Sequence, residues 1–176
     1  MPARRPPLAD VIAAAVARSA HIDAVVIEPQ AIRHVPTLLK AHFDGGPVLL
    51  VADRNTMAAA GNAVSAFLAA AGIPTAHHIF PGTGRLEPTV ENGDALRTAL
   101  AATDVVPVAV GAGVINDLVK YAAFKAHRPY FCIATAASMD GYASAGSPLI
   151  DGGFKHTIAC RPPRVMLADL DIIAAA

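Results

Sequence analysis

The stretch from Val105 to Ser144, VVPVAVGAGVINDLVKYAAFKAHRPYFCIATAASMDGYAS, constrains this chain more than any other. Val105 to Val110 is a short apolar run rich in β-branched residues, the pattern of a strand covered on both faces. Gly111-Ala112-Gly113 follows at once. From Val114 to Ala126 apolar residues recur at helical spacing (Ile115, Leu118, Val119, Ala122), with Asp117 in the first turn. Tyr130 to Ala134 reads as a second buried strand, and Thr135 to Ser144 as the polar loop after it. A glycine turn between a buried strand and a helix start is suited to a phosphate: the backbone can be approached closely, and free N–H groups and the helix dipole attract negative charge. Gly-x-Gly is a short signal, and Asn116 stands where the usual fingerprint has its third glycine, so an ordinary strand-to-helix turn is the competing account. The two loops leave successive strands and can flank one crevice.

The rest of the chain repeats the alternation. Helices are expected over Leu8–Ala20, Gln30–Phe43, Thr56–Ala71 and Thr89–Ala102. Strands are expected over Ala24–Ile27, Pro47–Ala52, Ala76–Phe80 and Val165–Ala168. Ala3–Pro7 is a proline- and arginine-rich lead, and Pro81–Arg85 a turn. Ser147–Ile150 and Phe154–Cys160, separated by Asp151-Gly152-Gly153, read as a β-hairpin within about 145–160. Strands alternating with helices imply one α/β domain over residues 1–176: a Rossmann-like, mainly parallel sheet with helices on both faces, plus the hairpin.

Composition narrows the function classes. Formal net charge is zero, so nothing marks a nucleic-acid or acidic-membrane surface. No apolar run is long enough to span a bilayer. The N-terminal MPARRPPLADVIAAAVARSA has basic residues before an alanine-rich run, as a leader peptide does. Asp10 and Arg18 interrupt it, which favours an amphipathic helix. Cys132 and Cys160 lack metal-ligand spacing and sit in apolar contexts; buried free thiols in a reducing, cytoplasmic setting are expected. His77 and His78 are adjacent and on a strand point to opposite faces, so they cannot chelate together. His21, His34, His42, His127 and His156 are scattered.

GAGVINDLVKY followed by TAASMDGYAS resembles the NAD-binding half of sn-glycerol-1-phosphate dehydrogenases, in the superfamily of glycerol dehydrogenases, iron-type alcohol dehydrogenases and dehydroquinate synthases. The similarity continues through GFKHTIACRPPRVMLADLDII. It is strong from about Val105 to Ile173 and diffuse before that. The resemblance implies NAD or NADP as cofactor and a small polyol phosphate as substrate. The implied reaction is reversible hydride transfer between dihydroxyacetone phosphate and sn-glycerol 1-phosphate, a step of phospholipid biosynthesis, with a homo-oligomer as a possible state. In that family zinc or another divalent metal is held by one Asp and two His of a helical second domain. The Asp lies just beyond the segment matching Ile172-Ile173-Ala174, so the metal site and the helical domain are expected to be absent from these residues. Glycerol dehydrogenase, a dehydroquinate-synthase-like cyclase and a nucleotide-binding regulatory module are the alternatives.

The candidate site follows. Asp53 ends an early strand, as a ribose-binding acid does, although it precedes the glycine turn instead of following it by about 20 residues; a helix cap is the other reading. Arg54 beside it leaves the choice between NAD and NADP open. Gly111 and Gly113 form the turn, and the backbone of Gly113, Val114, Ile115, Asn116 and Asp117 is expected to cradle the pyrophosphate. Asp117 suits that place only if its side chain points away. By resemblance, Thr135, Ala136, Ala137 and Ser138 line the cofactor, Ser144 touches it near the nicotinamide, and Asp140 accepts hydrogen bonds from substrate hydroxyls. Local turn hydroxyls and an Asp-Gly turn are the plainer accounts of these residues. Lys155, after the hairpin turn, is either near a substrate phosphate or simply solvated.

Overall fold

The computed structural model describes residues 6–82 and 86–176. The expected Ala3–Pro7 lead and Pro81–Arg85 turn lie partly outside the described residues. In chain order the elements are α1 (Leu8–Val16), β1 (Ala24–Glu28), a 3-10 turn (Ala31–His34) running into α2 (Val35–His42), and β2 (Val48–Asp53). Next come α3 (Arg54–Thr56), a π-helical turn (Met57–Gly61), α4 (Asn62–Ala70), β3 (Thr75–Phe80), α5 (Val90–Ala101), β4 (Val106–Gly111) and α6 (Gly113–Lys125). The chain finishes with β5 (Phe131–Ala134), a 3-10 turn (Gly141–Ala143), β6 (Gly146–Asp151), β7 (Phe154–Ala159), β8 (Val165–Asp169) and α7 (Leu170–Ala174).

Six strands form one parallel sheet in the order β1-β8-β5-β4-β2-β3, and β6 and β7 form a separate antiparallel hairpin. The α/β expectation therefore holds, with the hairpin where it was read. Successive residues of each strand feed opposite layers. Leu49, Val51, Ala109, Cys132 and Ala134 pack with α5 and α6. Val48, Leu50, Ala52, Val108, Val110, Phe131 and Ile133 pack with α2 and α4. Each such fully buried Leu, Ile or Val side chain contributes about 1.5–3 kcal/mol. Pro107 is tolerated inside β4 because of where it falls. Val106 donates to Pro47 O on the β2 side, so the N–H that Pro107 lacks would face β5, whose pairing begins only at Val108.

Several boundaries differ from the sequence reading, each for a local reason. The first helix stops at Val16, not Ala20, and buries no residue. The second begins as a 3-10 turn after Gln30, which is left-handed at φ 55; Pro36 cannot donate to Ile32 O, and Val35 donates there in its place. The third is broken by the π-helical turn at Met57–Gly61, where a Cβ on Gly61 would lie 2.4 Å from Met57 Sδ. Asp169 caps α7, which was not anticipated, and its carboxylate also accepts from Gln30 N and Ile32 N, each at 3.1 Å.

The hairpin turns on Gly152 and Gly153, both at positive φ (55 and 85), the conformation such two-residue turns need. It is fastened to the segment leading into α5 and to α6: Ile150 N donates to Pro88 O at 2.7 Å, and Ser147 Oγ to Asp117 O at 2.8 Å. β7 is exposed along most of its length, with Phe154 at 73%.

Candidate functional site

The sheet order fixes where a ligand crevice forms. From β2 the chain moves outward to β3, whereas from β4 it moves the other way, through β5 to β8. The switch point of this open sheet is between β2 and β4, at their carboxyl ends. The β2–β4 register ends at Val51 opposite Ala109, so two residues further on Asp53 and Gly111 stand on either side of the crevice.

On the β4 side, the Gly111-Ala112-Gly113 turn delivers the chain into α6 with no side-chain cap. The first intrahelical bond runs from Asn116 N to Ala112 O at 3.0 Å, leaving the N–H groups of Gly113, Val114 and Ile115 without helical partners. A Cβ on Gly113 would meet only Met139 Sδ, at 3.1 Å, so backbone approach is open there. The sequence reading extended this cradle too far. Asn116 N is consumed by the helix, and the Ile115, Asn116 and Asp117 side chains are buried. Asn116 accepts a hydrogen bond from Tyr130 Oη at 3.0 Å, and its Nδ2 is buried without a partner.

Asp117 points away from the turn, as a phosphate site requires. Its Oδ1 lies 3.6 Å from Lys120 Nζ, a pair on the buried side of α6. Burial pushes the Asp117 carboxyl up, and Lys120 pulls it back down. Burial pushes Lys120 down, and Asp117 restores part of the loss. Lys120, which sequence reading missed, has no exposed surface. A signal was present: Lys120 is surrounded in sequence by Leu118, Val119, Tyr121, Ala122 and Ala123, leaving no polar face for it to share.

Asp53 is the N-cap of α3. Its Oδ1 accepts from Thr56 N at 2.8 Å, and Thr56 Oγ1 accepts from Asp53 N at 3.0 Å, a reciprocal capping box. After β5, Thr135 is buried with its N–H donating to Gly111 O at 3.3 Å, which ties the second loop to the first. Ala136 is half-buried; Ala137, Ser138 and Asp140 are exposed. Tyr142 Oη donates to Ala136 O at 2.7 Å and closes the loop on itself. Asp140 precedes the 3-10 turn but makes no side-chain cap bond to it. The Ser144 hydroxyl is already engaged, accepting from Lys120 Nζ and donating to Gly146 O, each at 3.0 Å. Lys155 is exposed on β7.

No group of three or more His, Cys, Asp and Glu placed to hold a metal occurs among the described residues. His77 bonds Ser65 Oγ at 2.9 Å, while His78 packs edge-on against Phe80, so the adjacent pair diverges as expected. Cys132 and Cys160 are free and buried. No helix among the described residues is long and apolar enough to cross a membrane.

The family profile described as iron-containing alcohol dehydrogenase matches residues 26–176. The chain belongs to that family. It is 36% identical over 159 residues to the glycerol-1-phosphate dehydrogenase [NAD(P)+] of Halalkalibacterium halodurans, covering 88% of this chain and 39% of that one. The crystal structure of glycerol dehydrogenase from Schizosaccharomyces pombe superposes with a TM-score of 0.76 at 23% identity, over 88% of this chain and 39% of that one. A 2-deoxy-scyllo-inosose synthase, complexed with carbaglucose-6-phosphate, NAD+ and Co2+, superposes with a TM-score of 0.74 at 17% identity, over 89% and 45%. The chain thus spans about two fifths of the curated relatives it matches, 39% of the first. Within this family it carries the dehydrogenase-type, Rossmann-like sheet domain.

Proposed function

We propose that the crevice above β2, β4 and β5 binds a nicotinamide dinucleotide, and that the domain is the cofactor-binding half of a dehydrogenase acting on a small polyol phosphate. One observation carries the reading: the uncapped start of α6, with three free N–H groups behind Gly113, which only the flexible Met139 thioether approaches, at the switch point of the sheet. The similarity to a glycerol-1-phosphate dehydrogenase supports the substrate class.

The bound dinucleotide supplies the hydride chemistry. The chain's own residues bind and orient. The N–H groups of Gly113, Val114 and Ile115 take the pyrophosphate, and the free oxygen of Asp53 takes the adenosine ribose. Thr135, Ala136, Ala137 and Ser138 line the nicotinamide side. Asp140, exposed and without a capping role, orders the substrate by accepting from its hydroxyls. Ser144 serves through its bond to Lys120. No three-ligand cluster among the described residues fits a metal, so no step through one is assigned to them. Arg54, exposed at the start of α3 beside Asp53, favours a 2′-phosphate and hence NADP as well as NAD.

Titration calorimetry of the chain with NADH and NADPH tests the reading. Heat of binding, with a raised melting temperature, is expected. No heat and no thermal shift with either cofactor overturns the assignment.

A further inference from the structure

The Lys120 ammonium is spent in full. It donates to Gly141 O at 3.1 Å, Ser144 Oγ at 3.0 Å and Gly146 O at 3.0 Å, which accounts for its three N–H groups. Asp117 provides the counter-charge from one turn earlier on α6. All three acceptors lie between the end of β5 and the first residue of β6, on the stretch that carries Asp140. The same segment rests on the glycine turn. Met139 Sδ lies 3.1 Å from where a Gly113 Cβ would be, and Met139 Cε 3.2 Å from where a Gly141 Cβ would be.

We propose that Lys120 is a positioning residue whose ammonium holds the Met139–Gly146 segment against the start of α6, setting the nicotinamide side of the crevice. A buried ion pair is weak evidence for stability, because desolvation offsets much of the attraction. A methionine would fill the same space without a charge to desolvate. What it cannot do is bind two carbonyls and a hydroxyl of one loop from beneath. Tyr142 to Ala136 closes the loop internally but ties it to nothing outside, whereas Lys120 ties it to α6. The ligand arm of the test below rests on the cofactor reading above; the exchange arm does not.

The variants are Lys120→Met and, because Asp117 would then be left buried without its partner, Asp117→Asn/Lys120→Met. Amide hydrogen exchange and titration with ADP and with NADH are compared with the parent chain. Exchange across 139–146 should speed by roughly tenfold to a hundredfold, as expected for the loss of one or two charge-assisted hydrogen bonds, while the sheet amides keep their protection. Affinity for ADP, which reaches only the pyrophosphate side, should hold. The extra affinity of NADH over ADP should fall by about tenfold, the scale of one such bond. Unchanged exchange at 139–146, exchange that rises equally throughout the sheet, equal loss of ADP and NADH, or failure of both variants to fold would each overturn the proposal. Should the parent chain bind neither ADP nor NADH, the cofactor reading falls and the exchange result alone decides the role of Lys120.

Discussion

Ile115 occupies the space a side chain on Gly111 would need: a Cβ there would lie 2.6 Å from Ile115 Cβ and 2.8 Å from Cγ1. The first turn of α6 is seated directly on the end of β4, so glycine at 111 is a packing requirement. Gly111→Ala should cost about 1–3 kcal/mol, because relief demands a shift of α6 and not of a side-chain tip. Denaturant unfolding at neutral pH measures it. An unchanged midpoint and slope would show that the helix moves freely on the strand.

Gly113 makes the opposite case. Its missing Cβ faces only the flexible Met139 thioether. Gly113→Val should therefore fold with a melting temperature close to that of the parent, on a scale where 1 kcal/mol shifts it by about 2–4 °C. Binding of NADH should be lost, since the valine fills the approach to the backbone. A variant that binds as well as the parent would make the turn purely structural.

Asp53 has two roles to separate, the cap of α3 and the proposed ribose contact. Asparagine caps about as well as aspartate, whereas alanine costs about 0.5–2 kcal/mol. Asp53→Asn should keep the melting temperature and weaken NADH binding. Asp53→Ala should lower both. If Asp53→Asn binds NADH undiminished, the carboxylate belongs to the helix and not to the cofactor.

Alkaline pH should unfold this domain through its interior. Burial pushes the Cys132 thiol from an ordinary 9.0 up to about 12. A raised folded value means its contribution is complete below pH 9 and disappears as pH climbs toward 12, because the unfolded chain releases the proton first. The full change amounts to about 4 kcal/mol at 1.36 kcal/mol per pH unit. Tyr142, raised by burial from 10.0 to about 12, adds a later component. Stability measured from pH 8 to 11 should fall steeply in the parent and less steeply in Cys132→Ala, whatever the starting level of that variant. Parallel curves would mean that the thiol does not govern the alkaline limb.

The elements legible in the sequence were those whose signal is local. β4, the glycine turn, α6 and β5 follow from apolar runs and two glycines, and the hairpin follows from Asp151-Gly152-Gly153. The place of β8 between β1 and β5 is a long-range fact that no local pattern encodes. The π-helical turn at Met57–Gly61 lies within an alanine-rich run that reads as uniform helix. Lys120 three residues after Asp117 has the spacing of a solvated helix pair, which masks the signal of its apolar neighbours; the β5–β6 segment folding over it completes its burial. The cradle was overextended at Asn116 and Asp117 because the helix takes up backbone N–H groups from Asn116 onward.

The position of β8 has a consequence for the order in which the molecule can be made. Ala24 pairs with Val165, partners 141 residues apart in the chain, and β5 pairs with the same strand on its other side. As the chain leaves the ribosome, β5, β4, β2 and β3 can assemble while β1 waits without a neighbour. Bringing the two ends of such a span together carries an entropy cost of about 4 kcal/mol at the slow logarithmic rate of loop closure. When Val165–Asp169 emerges it fills the gap, and the Asp169 carboxylate latches Gln30 and Ile32 in the same event. β8 is thus the keystone for β1, which finds no partner in the sheet until residues 165–169 have been made.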